Sequence, residues 1–120
     1  MEVSAVDDLT TVGDLRTAVH DFVDRRDWYQ FHTPKNLAMS IAIEAAEIME
    51  HFQWLTPAES AAAMDDPAIR YAVGDELADV IIYCLSFANS SGIDITSAVL
   101  TKLERNELRF PVERVRGRLG

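Results

Sequence analysis

The sequence of 120 residues predicts an all-α protein, and two observations carry this prediction. Apolar residues recur at the three- and four-residue spacing of a helix, and no segment alternates every second residue as a half-buried strand does. Thr or Asp residues also stand before Pro, or three residues before an acid, and both patterns are signals of a helix start. We therefore expect a helical bundle of four main helices and one short helix.

The first elements precede the long helices. Residues 1–10 are acidic and polar, and we expect them to form a loose tail. Thr11 with Asp14 resembles a capping box and opens a first helix that should run to about Arg25. Residues 26–32 contain three aromatic residues and a His, and they break the helical period. This segment is predicted to be a loop.

Four further helices have N-cap residues that can be read from the sequence. These residues are Thr33, Thr56, Asp66 and Asp94. The expected helix ends lie near Leu55, Met64, Ser90 and Arg109. Gly92 supplies the left-handed residue after the fourth helix. Residues 11–110 thus form one predicted domain, and residues 111–120 are expected to be a basic tail.

Two acidic pairs interrupt the apolar pattern of the second and fourth helices. Glu44 and Glu47 form the first pair, and Glu76 and Asp79 form the second, with 28 residues between Glu47 and Glu76. Residues three apart share a helix face, and none of the four acids has Lys or Arg three or four positions away. A divalent cation would relieve the repulsion. Oxygen ligands favour Mg²⁺ or Mn²⁺ over zinc, and a di-iron site is disfavoured because neither pair has a His at the next helical position.

The two pairs belong to a quasi-repeat with an offset of 32 residues, in which Ile41 aligns with Val73. The acids fall on the same flank of both apolar stripes, so antiparallel packing of the two helices would bring all four carboxylates together. His51 lies in phase with the acids, and we expect it to be a hydrogen-bond partner of Glu47. Glu50 lies opposite the stripe and should be solvated.

Composition limits the classes of partner. The net charge is −9, and residues 36–101 contain ten acids against one base, Arg70. This balance argues against binding to nucleic acids or membrane surfaces, although a bound metal would reverse the local charge for a nucleotide. The single cysteine, Cys84, excludes an internal disulfide and is predicted to be buried. Because no segment has the length and apolar character of a membrane span, we expect a cytoplasmic protein.

The acidic spacing resembles the metal motif of the MazG-like, all-α nucleoside triphosphate pyrophosphohydrolases. Other segments resemble the dCTP-pyrophosphatase branch of that family, and the likeness covers about residues 9–113. These segments are Arg26-Asp27-Trp28, Phe31-His32, Pro34-Lys35-Asn36-Leu37, Phe52-Gln53-Trp54, Glu76-Leu77-Ala78-Asp79-Val80, Tyr83 and Arg109-Phe110-Pro111. Position 43 is Ile where many members carry a second Glu, which matches the reduced ligand set of this branch. The base preference of a member does not follow from its branch.

The resemblance implies Mg²⁺-dependent hydrolysis of a nucleoside triphosphate, such as dCTP or a modified dCTP, to monophosphate and pyrophosphate in nucleotide-pool sanitation. The catalytic and metal-binding residues would be Glu44, Glu47, Glu76 and Asp79. The implied assembly is a homodimer or a homotetramer. The alternative is a non-catalytic acidic helical module that binds metal or a partner protein.

The candidate nucleotide-binding residues each have an ordinary structural alternative. Trp28 and Trp54 are either core residues or stacking platforms for a base. His32 either contacts the base or forms a structural hydrogen bond one residue before the helix cap. Tyr83 lies on the acidic flank and is expected near the sugar or base. The candidates for phosphate contact are Lys35, Asn36, Lys102, Asn106 and Arg109. For the last three of these, a solvated basic face is the alternative.

Overall fold

The computed structural model describes residues 5–118, and it is helical as the sequence predicts. The helices are α1 (Val12–Arg25), α2 (Pro34–Glu50), α3 (Pro57–Ala63), α4 (Pro67–Ser91), α5 (Ile95–Arg109) and α6 (Val112–Val115). The predicted order of four main helices and a short α3 is confirmed. The division into a domain over 11–110 and two tails stays a prediction.

The helix starts follow the predicted caps. Thr11 and Asp14 exchange two hydrogen bonds of 3.0 Å, and Thr56 and Glu59 form a second capping box. The capping bonds lower the pKa of the Glu59 carboxyl below its ordinary value, because they favour its charged form. Gly92 ends α4 at φ 68°, in the left-handed region that suits glycine. These signals are local, which explains why the sequence reveals them.

One expected helix boundary was wrong, and two segments expected to lack helix each contain a short 3₁₀ turn. Helix α2 ends at Glu50 and not near Leu55, because the amide of His51 bonds to Ile48 and the next residues form tight turns. The predicted tail 1–10 contains a 3₁₀ turn at Asp7–Leu9; residues 1–4 lie outside the described part. The predicted loop contains a second 3₁₀ turn, Tyr29–Phe31.

A short helix also follows α5 at the C-terminal end. The predicted basic tail contains α6, whose amides bond back to the carbonyl of Pro111. Proline holds an extended conformation that can begin a helix, so Pro111 starts a new turn after it has ended α5.

Helix α4 is the centre of the fold. It packs most extensively against α2 and next against α1. The buried apolar side chains come from these three helices, and they are Val23, Leu37, Val73, Leu85 and Ala88. Cys84, predicted to be buried, is only partly covered.

Hydrogen bonds join α1 to the C-terminal end of α4. Arg16 donates to Oδ1 of Asn89 at 2.9 Å and to the carbonyl of Ile93 at 2.7 Å. Asn89 returns a bond to the carbonyl of Arg16 at 3.0 Å. These bonds fix the angle at which α1 crosses α4, and α1 leads directly to the aromatic segment of the candidate site.

Helix α5 stands apart from this core. No residue within Ile95–Arg109 is buried, and Val99, Leu100 and Leu103 are at least half exposed. The Cα radius of gyration is 17.3 Å, against about 14 Å for a compact domain of this length. The single chain therefore leaves much of its apolar surface uncovered.

Candidate active site

The two acidic pairs lie on the most closely packed pair of helices, α2 and α4. All four acids are partly covered by the protein. His51, at the C-cap of α2, reaches α4 and places Nε2 2.7 Å from Oε2 of Glu76. The expectation that His51 bonds to Glu47 was wrong, because the turn after Glu50 points the ring across to α4.

Glu44 is the acid most constrained by its surroundings. Its Oε2 atom is buried without a hydrogen-bond partner in the described part of the chain. Burial raises the pKa of the Glu44 carboxyl above its ordinary value, and Glu47 raises it further through a side-chain hydrogen bond and through its charge. Asp79 and Glu76 add to this effect from α4. Glu47, Asp79 and Glu76 therefore lie within electrostatic reach of Glu44. The convergence of all four carboxylates on one cation stays a prediction.

The donor chemistry suits a hard divalent cation. Among residues 5–118, no three His, Cys, Asp or Glu side chains already stand in an arrangement that would hold a metal ion. The acids are nevertheless close enough to influence one another, and the buried oxygen of Glu44 lacks a partner. Carboxylate oxygens are the ligands that Mg²⁺ uses in proteins. A cation here would satisfy that oxygen.

A cavity of about 230 Å³ opens beside these acids. Four predicted site residues line it together: Trp28, His32, Asp79 and Tyr83. The remaining walls are Phe22, Val23, Ile82 and Ser86. An acid of the candidate metal site thus shares one cavity with two large aromatic rings and an imidazole. The cavity can therefore hold a ligand with a flat ring and a negatively charged group. The ring would pack against the aromatic side chains, and a cation bound by the acids would offset the negative charge.

The segment before α2 positions Trp28. Asp27 adopts φ 53°, a left-handed conformation that reverses the chain directly after α1. The indole of Trp28 then packs edge to face against the ring of Phe22, with 5.8 Å between the ring centroids. The guanidinium of Arg26 lies 3.8 Å from the centroid of the same Phe22 ring. Asn36 donates from Nδ2 to the carbonyl of Phe31 at 3.0 Å and holds the end of the segment. The indole therefore forms a fixed wall of the cavity.

His32 forms the inner wall. Burial lowers the pKa of His32 below its ordinary value, so the neutral imidazole is favoured. Ser86, which is 1% exposed, places Oγ 3.4 Å from Nδ1 of His32. Ser86 did not emerge from the sequence, since a Ser within an apolar stripe carries no signal of its own. Phe22 and Ile82 were missed because an apolar residue within an apolar stripe is expected to be a core residue.

Several predicted nucleotide-binding residues lie outside this cavity. Trp54 is 88% exposed in the turn after α2, and Lys35 is exposed in the first turn of that helix. The side chain of Asn36 is engaged with Phe31. On α5, Lys102 and Arg109 are exposed and Asn106 is partly covered. Within one chain these residues do not join the acids and aromatic rings, and their predicted roles stay predictions.

A second, larger cavity of about 480 Å³ lies at the other end of α4, and its polar wall includes Arg16, His20 and Asn89. Nδ1 of His20 lies 2.6 Å from the hydroxyl of Tyr29. Burial, followed by the charge of Asp24, raises the pKa of Tyr29 above its ordinary value. Since Arg16 and Asn89 bond to each other, this network reads as structural.

None of the helices within residues 5–118 combines the length and the apolar character needed to cross a membrane.

The chain represents an all-α protein with paired carboxylates from two packed helices beside an aromatic cavity. Residues 39–118 match the model of the MazG-like family. The chain belongs to the MazG-like family.

Three similar proteins extend this assignment. Over 107 residues the chain is 38% identical to dCTP pyrophosphatase 1 of Rattus norvegicus, with 89% of this chain and 63% of that protein covered. For dCTP pyrophosphatase 1 of Homo sapiens the identity is 38% over 106 residues, with 88% and 62% covered. The chain thus spans a little under two thirds of these relatives. A crystal structure of a pyrophosphatase from Archaeoglobus fulgidus DSM 4304 superposes with a TM-score of 0.79 at 35% identity, and covers 92% of this chain and 99% of that one.

Proposed function

We propose that this protein is a Mg²⁺-dependent nucleoside triphosphate pyrophosphohydrolase that acts on dCTP or a modified dCTP in nucleotide-pool sanitation. The names of the relatives support both the reaction and the base. Mn²⁺ would serve in place of Mg²⁺, because both ions take carboxylate oxygens. Cys84, a free thiol, agrees with a reducing compartment, and we propose the cytoplasm.

One observation carries the proposal: Asp79 lines the same cavity as Trp28, His32 and Tyr83. A base stacked on the indole would hold the nucleotide, and base–aromatic stacking contributes about 1–3 kcal/mol. The triphosphate would then extend along the acidic flank of α4 towards Glu76. A protein that only bound metal or a partner protein would have no need of the aromatic walls.

The carboxylates have two tasks in this reaction. Glu44, Glu47, Glu76 and Asp79 would hold the cation. When bound, the cation would offset the charge of the phosphate oxygens and favour attack at phosphorus. A carboxylate with a free oxygen would accept a proton from the attacking water. The water oxygen bonds to the α-phosphorus, the bond from that phosphorus to the bridging oxygen breaks, and pyrophosphate leaves.

We also propose that the active protein is a homodimer or a homotetramer. The support is the uncovered surface of the single chain: α5 buries none of its residues, and Leu100 and Leu103 are at least half exposed. Light scattering on the eluted protein would measure the assembly, and Leu103→Glu should weaken it. A monomer at the protein concentrations used for activity would contradict this part of the proposal.

The reaction is tested by incubating the protein with Mg²⁺ and each of the common dNTPs and NTPs in ¹⁸O-water. The label should appear in the nucleoside monophosphate, with dCTP or a modified dCTP preferred. Label in pyrophosphate or orthophosphate would mean attack at another phosphorus. Hydrolysis of none of the nucleotides would favour the non-catalytic acidic module.

A further inference from the structure

We infer that His51 is a positioning residue for the candidate metal site: it holds one carboxylate oxygen of Glu76 and so orients the other oxygen towards the cation. This inference rests on the proposed function. It assigns a task to a side chain that lies outside the aromatic cavity and is not one of the four acids.

The contact between His51 and Glu76 is short and joins two helices. Nε2 of His51 lies 2.7 Å from Oε2 of Glu76, at the short end of the range for N–H···O bonds. Bonds from a ring N–H to a carboxylate are shorter and stronger than bonds between neutral groups. The two side chains are 28% and 25% exposed, so the bond is partly shielded from water. Within residues 5–118, this is the one contact shorter than 4 Å between a basic and an acidic side chain.

The backbone fixes the position of the His51 ring. The residue is the C-cap of α2, and its amide bonds to the carbonyls of Ile48 and Met49. Phe52 follows in a tight turn, with its amide 2.9 Å from the carbonyl of Met49 and its ring 6.3 Å from the imidazole. The early end of α2, which the sequence did not predict, is therefore what aims His51 at α4.

Glu76 gains a defined orientation from this bond. Oε2 of Glu76 accepts the bond from Nε2 of His51. The second carboxylate oxygen, Oε1, is then the one free to bind a cation. Among the four acids, Glu76 is the one that has a side-chain hydrogen bond to a basic group in the described part of the chain. Carboxylates that bind metals are commonly held by such outer bonds, and loss of one typically weakens metal binding about 10- to 100-fold.

A purely structural link between α2 and α4 would predict something different. In that case a change at His51 would lower the melting temperature of the metal-free protein and leave the affinity of the folded protein for metal unchanged. Two variants separate the explanations. His51→Leu removes the donor, whereas His51→Gln places an amide donor near the position of Nε2.

The experiment measures Mn²⁺ binding to the full chain without nucleotide, by electron paramagnetic resonance of the free ion, together with melting of the metal-free protein. His51→Leu should raise the Mn²⁺ dissociation constant about tenfold or more, and His51→Gln should restore most of the affinity. His20→Leu is the matched control, because His20 contacts Tyr29 and no acid of the site; it should bind Mn²⁺ as the unaltered protein does.

The outcomes separate this inference from the proposed function. Equal Mn²⁺ affinity in His51→Leu and the unaltered protein would overturn the positioning role and leave the metal site intact. Tighter binding in His51→Leu would mean that His51 competes with the cation for Glu76, and would also overturn it. Absence of Mn²⁺ binding by the unaltered protein would overturn the proposed metal site and the role of His51 together.

Discussion

Ser86 Oγ lies 3.4 Å from Nδ1 of His32, and the two residues come from parts of the chain 54 positions apart. The distance is long for a hydrogen bond, so the contact is weak. Ser86 is nevertheless buried, and this ring nitrogen is the one side-chain partner that the described residues offer its hydroxyl. If the hydroxyl donates, Nδ1 is the acceptor and Nε2 carries the proton. The other imidazole nitrogen would then present a donor to the cavity.

This relationship gives the first prediction. Ser86→Ala should raise the KM for dCTP by a factor of about 2 to 10, because the net value of such a bond is about 0.5–1.5 kcal/mol and a weak one lies at the low end. The kcat should change little, since the serine touches no acid of the site. Ser90→Ala, one helical turn further along α4 and exposed, is the control. An unchanged KM in Ser86→Ala would show that the contact does not orient His32.

The second prediction concerns pH. Burial lowers the pKa of His32 below the ordinary 6.5, so the unfolded state binds the proton more readily than the folded state. The contribution of neutral His32 to stability is therefore complete above about pH 6.5. It is lost as the pH falls from there through the lowered pKa of the folded state. Melting temperatures at about pH 7.5 and about pH 5.5 measure this loss, and His32→Gln should make it smaller. If the melting temperature falls equally in the unaltered protein and in His32→Gln, groups other than His32 cause the loss of stability in acid.

The third prediction concerns the acids. Glu47→Gln or Asp79→Asn should abolish Mg²⁺-dependent turnover and leave the fold intact, because each change removes a ligand without removing volume. Glu50→Gln is the matched control, on an exposed residue of α2. Circular dichroism would verify folding, and chelation of the metal should also leave a folded protein. Full turnover in either acid variant at saturating Mg²⁺ would contradict the site assignment.

The fourth prediction separates the two tryptophans. Trp28→Ala should raise the KM for the nucleotide by an amount equivalent to about 1–3 kcal/mol and leave Mn²⁺ affinity unchanged. Trp54→Ala is predicted to do the same, although the single chain leaves Trp54 exposed. A higher KM in Trp54→Ala would therefore mean that assembly of the chains brings Trp54 to the nucleotide. Unfolding of Trp28→Ala would mean that the indole is a core residue, contrary to its place on the cavity wall.

The fifth prediction tests the turn before Trp28. Asp27 sits at φ 53°, a conformation that Asn and Gly tolerate and β-branched residues do not. Asp27→Val should destabilise the fold by about 1–2 kcal/mol, whereas Asp27→Asn should be close to neutral. Urea unfolding of both variants gives the difference. Equal stability of the two would show that the left-handed conformation is not maintained in solution.

The features that could be predicted from the sequence are those that depend on interactions between residues close together in the chain. The start of α2 at Thr33 and the stop at Gly92 follow from capping geometry within a few residues. The phase of the acidic pairs likewise follows from helix periodicity, and their convergence on one cation stays a prediction. The end of α2 was missed because no Gly or Pro marks it. At the C-cap His51 the backbone leaves the helix for tight turns. The bond that His51 then makes to Glu76 on another helix is a tertiary contact, which helix periodicity does not reveal.

The same distinction applies to the cavity. Trp28 and His32 could be predicted because they lie in a segment that breaks the helical period, where large rings need an explanation. Ser86 could not be predicted, since it becomes meaningful only when α4 meets the segment before α2. Helix α5 buries none of its residues within the single chain. No pattern within Lys102–Arg109 distinguishes a phosphate contact from a solvated face.

Glu44 Oε2, which is buried and has no hydrogen-bond partner among residues 5–118, has a consequence for the lifetime of the protein. A cation that binds the folded state and not the unfolded chain adds RT ln(1 + [L]/Kd) to its stability, about 2.7 kcal/mol at a hundredfold excess over Kd. Carboxylates that repel one another when alone would thus make metal supply a determinant of resistance to proteolysis. Chains that lack metal would open more often and be degraded first. The folded population would then be enriched in metal-loaded molecules, without a dedicated regulator.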